Sequence, residues 1–236
     1  MDMTENSFWQ RIKRLKVDLK GMTWKEKIDH IWTYYRQFIF FTAVGLIVII
    51  GVGTTILAPK KELLMGGMCV NTYISEEGTS YLMEELFDQL QGDPKKQETQ
   101  MYFRSFGDMT TSTQDYETFQ SIVTMLYAKK LDYLLMDADS LAPIIGYDSL
   151  LDLREVFTAE ELEQFGEKIQ YAQAADDEGN PTGEKIPVAV EITDISFIQD
   201  CKLYNQKFFL GFAANAPNKD SLREFWQYLL AWEDKT

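Results

Sequence analysis

The 236 residues include one histidine, two cysteines and six prolines, and 37 acidic side chains outnumber 23 basic ones. The histidine, His30, comes early, so the long remainder of the chain has no imidazole. That excludes from it a Ser-His-Asp or Cys-His site, a histidine-ligated zinc and histidine acid–base chemistry. The net charge of −14 argues against a nucleic-acid partner, because neutralising phosphates takes clustered Lys and Arg. Cys69 and Cys201 form no CxxC pair. They either join as one disulfide or stay as two buried thiols. The sequence contains no phosphate-binding glycine loop and no G-x-S-x-G elbow. Asp137-x-Asp139 and Asp176-Asp177-Glu178-Gly179-Asn180 lack the alternating ligands and terminal glutamate of a calcium loop. No metal or cofactor is therefore expected. A carboxylate-based hydrolase is the one enzymatic alternative, since its acid pair would meet only in the fold; the expectation is a protein without catalytic activity.

What the chain does have is a long apolar run. Residues 38–57 are twenty positions without a charge. As an α-helix this run reaches about 30 Å, the thickness of a bilayer's hydrocarbon core, with every backbone group paired internally. A transmembrane helix is predicted there. Charge is sorted about it: residues 1–37 carry eight Lys and Arg against five acids, residues 59–236 fifteen against thirty-two. Basic flanks stay in the cytoplasm, so the expected topology is a single-pass signal anchor with the amino terminus inside and the acidic bulk extracytoplasmic. The run is too long, and its basic head too extended, for a cleaved signal peptide.

Four regions follow: 1–37 as cytoplasmic basic amphipathic helices, 38–57 as the span, 58–65 as a linker, and 66–236 as an α/β domain. Phe8, Trp9, Ile12, Leu15 and Leu19 recur at helical spacing among Arg and Lys, a helix suited to an anionic leaflet or to a partner's cytoplasmic face. Gly21 ends it. Thr23-Trp24-Lys25-Glu26 has capping-box form and opens a second helix with Trp32, Tyr34 and Tyr35 near headgroup depth.

Beyond the linker the pattern alternates. Strands are predicted at 66–73, 100–106 and 131–136, with helices at 79–91 and 112–130 between them and a short helix at 140–145 after the third. Gly92 is the predicted stop of the first of these helices. Three β-α steps imply a parallel sheet with right-handed crossovers. Thr158-Ala159-Glu160-Glu161 is another capping box, whose helix ends near Gly166. Residues 168–173 and 185–192 read as a hairpin across a polar turn, 207–213 as a further strand, and the last helix starts at Asn218 or Asp220. The fold class is thus α/β, a parallel or mixed sheet behind one membrane helix.

In such sheets ligands gather beyond the carboxyl ends of the strands. Asn71, Tyr73, Arg104, Phe106, Asp108, Asp137 and Asp139 would line that edge. Five of them also have a structural reading: capping and solvation for Asp137 and Asp139, packing for Tyr73 and Phe106, an ion pair for Arg104.

Several phrases resemble extracellular solute-binding proteins of the periplasmic-binding type II class. Leu131-Asp132-Tyr133-Leu134-Leu135-Met136-Asp137 is similar to the strand before the crossover to the second lobe. Leu150-Leu151-Asp152-Leu153 is similar to the phrase that follows it, and residues 208–220 leading into 225–230 to the returning strand and terminal helix. The resemblance covers about residues 66–232. It implies a binding fold whose members usually close two full lobes on a solute; this chain has room for one lobe and a much reduced second, carried on a membrane helix. The resemblance speaks to the fold more than to solute capture; the charge-sorted span and the β-α order lead to two expected functions: extracytoplasmic recognition of a small solute or partner, or an accessory subunit of a membrane complex such as a transporter, with no small ligand.

Overall fold

The computed structural model describes residues 21–57, 61–175 and 181–232. The amphipathic helix expected over 8–19 and the acidic turn at 176–180 lie outside them. The chain divides into two compact units, Met1–Pro59 and Lys60–Thr236.

In the first unit Gly21 takes φ +99°, a left-handed value that frees the chain to turn. The Glu26 carboxylate accepts from the Thr23 N–H at 2.8 Å, one half of the expected capping box, and helix α1 runs unbroken over Trp24–Leu57. The two helices expected on either side of position 38 are therefore one. Apolar side chains emerge from all around it: Phe41 and Ile49 are 70% and 68% exposed, and Phe40, Leu46, Ile47, Val48 and Ile50 are exposed with them. Within the run 38–57 the described side chains are those of 39–51 and Gly53. Among the described residues no helix is long and apolar enough to cross a membrane, so the span predicted at 38–57 is not established by them.

The second unit is one six-stranded mixed sheet. Its elements are β1 Glu62–Val70; α2, which is α-helical over Glu76–Ser80, π-helical over Tyr81–Glu85 and α-helical again over Leu86–Gln89; β2 Gln97–Arg104; α3 Thr113–Tyr127; β3 Tyr133–Met136; α4 Ala138–Ile145; α5 Ala159–Phe165; β4 Ile169–Ala175; β5 Pro181–Glu191; α6 Ser196–Cys201; β6 Phe209–Phe212; and α7 Leu222–Leu230. The order across the sheet is β2-β1-β3-β6-β5-β4. The first three strands are parallel, as the β-α alternation requires, and the last three join antiparallel. The hairpin β4–β5 does not build a second lobe. It extends the same sheet through β5 beside β6, which corrects the expectation of a reduced second lobe.

The sequence places most ends well. Ser112 and Asp137 cap α3 and α4, and Thr158 and Glu161 complete a reciprocal capping box on α5. Gly166 closes α5 at φ +51°. The stop of α2 differs from expectation: Gln91, not Gly92, takes the left-handed backbone at φ 54°. Gly92 instead packs where a Cβ would meet the Phe87 ring at 2.5 Å.

One core holds the layers together. Tyr133 stacks on Phe225 with centroids 4.0 Å apart, fixing α7 over β3. Tyr81, at the start of the π-helical turn, stacks on Tyr228 at 4.2 Å, and each hydroxyl donates to the other residue's carbonyl oxygen at 3.0 Å. Trp232 meets Tyr81 edge-on and donates its Nε1–H to Asp200. Beneath α3, Phe119 bridges Phe106 and Tyr147.

Candidate functional site

The parallel strands β1, β2 and β3 end at one edge, and the seven residues singled out there do come to it. Most of their polar groups are used internally. Asn71, just past β1, holds φ +54°. Its Nδ2 donates to the Phe106 carbonyl at 2.9 Å and its Oδ1 accepts from the Phe106 N–H at 2.9 Å, a two-point clamp across 35 residues. Its own carbonyl accepts from Gln206 Nε2 at 3.0 Å, so the loop before β6 folds over the edge. Phe106 is buried against Phe119.

Asp137 caps α4 by accepting from the Ser140 N–H at 2.8 Å and the Ser140 hydroxyl at 2.6 Å. Asp139 sits exposed in the first turn of the same helix, where a negative charge suits the helix dipole. Asp108 accepts from the N–H and hydroxyl of Thr110 at 2.9 and 2.6 Å. Those bonds, the Thr110 hydroxyl's first, hold its carboxyl below the usual range. Arg104 pairs with no described acid; its Nη1 donates to the Phe103 carbonyl at 2.8 Å. The ion pair read for it from the sequence is not made.

Asp108 and Asp139 stay exposed at this edge, and beside them stands an exposed group of large side chains. Tyr73 meets Tyr204 edge-on at 5.9 Å, and Leu203 donates its N–H to the Tyr73 carbonyl at 3.1 Å. All three side chains are exposed. Leu203 and Tyr204 escaped the sequence reading because their loop shows no periodicity; two large apolar residues in a polar connection were the available signal.

The clamp gives a direct expectation. Asn71→Ala strands the Phe106 N–H and C=O and puts a β-carbon residue without a polar side chain at a left-handed position, which should cost about 2 kcal/mol. Chemical denaturation of the purified chain would measure it. An unchanged midpoint would return Asn71 to the pool of free ligand groups.

Both cysteines are free and buried, so the disulfide considered from the sequence is not formed. Burial pushes the Cys69 thiol up to about 12 and the Cys201 thiol up to about 11, against hydrogen bonding to Thr72 and Ser75. For a thiol raised in the fold, the contribution to stability is whole below the unfolded value of about 8.5 and is lost as pH rises above it. Cys69 should therefore give up about 2 kcal/mol between pH 8 and pH 10. Urea midpoints of wild type and Cys69→Ala would show the alkaline limb flattened in the variant, and a thiol reagent at pH 8 should label neither cysteine before unfolding.

Among the described residues the one acidic or basic side chain with no exposure, Asp132, lies at the opposite end of the strands. Its Oδ2 accepts from the Gly66 N–H at 2.8 Å and from Asn218 Nδ2 at 3.1 Å, and its Oδ1 from the Asn218 N–H at 2.9 Å. Asn218 Nδ2 also donates to the Leu63 carbonyl. Burial raises the Asp132 carboxyl, opposed by these bonds. The arrangement ties β1, β3 and the approach to α7 into one knot with no open position for a substrate. Among the described residues no three His, Cys, Asp or Glu side chains come together as a metal group. No protein family, curated protein or solved structure matches the chain.

Proposed function

We propose that this is a single-pass membrane protein whose acidic α/β domain recognises a partner protein on the extracytoplasmic side, as an accessory or assembly subunit without catalytic activity. One observation carries the recognition reading: the carboxyl edge of the sheet is closed by its own groups and topped by exposed Tyr73, Leu203 and Tyr204. Small-solute sites are concave and keep convergent polar groups free. Here most of the polar groups are bound internally, Asp139 alone of them being exposed without a named partner, and three large side chains face out, the pattern of a protein contact, where tyrosine is favoured.

The membrane reading is supported by α1. A helix apolar on every side must be covered by protein or by lipid, and the exposed apolar side chains over 39–51 belong to a helix whose full range contains the uncharged run 38–57. The excess of Lys and Arg before that run orients it with the amino terminus inside. The likeness of residues 66–232 to type II solute-binding proteins fits a returning strand beside β3, with β6 in that position; with a single sheet it fits a lobe kept as a docking module.

Native co-purification in mild detergent tests the proposal. A stoichiometric protein partner, lost on Tyr73→Ala/Tyr204→Ala, is the expected result. A sugar, amino acid or peptide that raises the thermal midpoint of the chain with no protein partner retained would instead favour the solute-binding alternative.

A further inference from the structure

The outer edge of β2 and the helix beside it form a second, different surface. The carbonyls of Lys96, just before β2, and of Arg104, its last residue, accept from the N–H groups of Glu62, which opens β1, and Asn71, which follows it. Alternation then turns Gln97, Thr99, Met101 and Phe103 outward. The Phe103 carbonyl is covered by Arg104. No described backbone group pairs with Thr99 or Met101 on that side, because β2 ends the sheet. Alongside runs a groove of about 540 Å³ between α2 and β2. Its apolar floor includes Met83 and Phe87, half-buried, and its rim carries Glu76, Glu84, Asp88 and Glu98, with Lys61 the one cation among the described residues that line it. Glu76, Glu84 and Asp88 make no ion pair with a described residue.

Open edges of this kind are normally blunted by lysines or prolines on the strand. Residues 97–104 contain neither. We infer that this edge and groove take an extended basic segment of a partner protein, which adds a strand to β2, lays alternate apolar side chains on Met83 and Phe87, and sets Lys or Arg against Glu84 and Asp88. Main-chain pairing supplies binding and the groove supplies selectivity; the acidic rim speeds encounter and disfavours acidic competitors. The inference rests on the partner-recognition reading and names the partner's chemistry.

The probe is a labelled ten-residue peptide of alternating lysine and valine, added to the full chain in a nonionic detergent. Saturable one-to-one binding is expected, with amide exchange slowed at Thr99, Met101 and Phe103. Glu84→Lys/Asp88→Lys, exposed positions whose folding is checked by thermal melting, should weaken binding at least about tenfold. An N-methylated peptide of the same sequence, unable to pair as a strand, should lose it. No binding, or equal binding by the charge variant or the N-methylated peptide, overturns the inference. If a native partner still co-purifies with the charge variant at wild-type yield, this surface is excluded while partner recognition stands; if none co-purifies with wild type, the recognition reading itself fails.

Discussion

Asp132→Ala should lower the thermal midpoint of the α/β unit by about 10 °C. The substitution leaves the Gly66 N–H, the Asn218 N–H and one Asn218 side-chain donor facing an alanine methyl in a fully buried place. A buried donor left without its acceptor costs about 1–3 kcal/mol; the Gly66 N–H is buried and the two Asn218 donors are half-buried and cost less each, so the sum is about 3–5 kcal/mol. For a unit of this size 1 kcal/mol moves the midpoint by about 2–4 °C. The knot also predicts a coupling. Asn218→Ala alone should destabilise less, because the Gly66 N–H still reaches the carboxylate, and the double variant should fall well short of the two single losses added together. Additive losses would mean that the two residues act separately.

Gly66→Ala should be comparably severe. A Cβ at this position would stand 2.4 Å from the Lys130 carbonyl oxygen, a backbone atom. That carbonyl cannot swing aside, because Lys129 holds φ +56° and the Lys130 N–H bonds the Met125 carbonyl at 3.0 Å in the turn leading to β3. Relief must come from moving β1, which pulls the Gly66 N–H off Asp132. Overpacking alone costs about 1–3 kcal/mol, and the disturbed knot adds to it. Urea titration would report a loss above about 3 kcal/mol; a loss below 1 kcal/mol would show that β1 and the 129–130 turn have more room than their geometry indicates.

These two positions also show where sequence reading reached its limit. The order of strands and helices was legible because apolar periodicity is a local signal, and the capping box at Thr158 and Glu161 and the stop at Gly166 are local as well. The antiparallel hairpin between residues 169 and 191 could be read for the same reason. That it extends the first sheet, instead of starting a second lobe, depends on β5 finding β6 some twenty residues later, and nothing in either strand announces it. Asp132 stood in plain view as an acid inside a nearly unbroken apolar strand, which marks a buried charge, but its partners Gly66 and Asn218 are 66 and 86 residues away. Asn71 and Phe106 follow their strands to the edge that the strand order indicates, and the clamp between them, 35 residues apart in sequence, spends the amide that a ligand would use. The six-residue helix α6 has no side-chain cap and is too short to show a period.

The central claim is that the basic head and the acidic domain lie on opposite sides of a membrane. Protease added to intact, sealed cells expressing the chain with a tag at each end addresses it. The account predicts that the carboxyl-terminal tag is lost while an amino-terminal fragment carrying α1 survives in the membrane fraction. A carboxyl-terminal tag that stays protected until the cells are opened would contradict it.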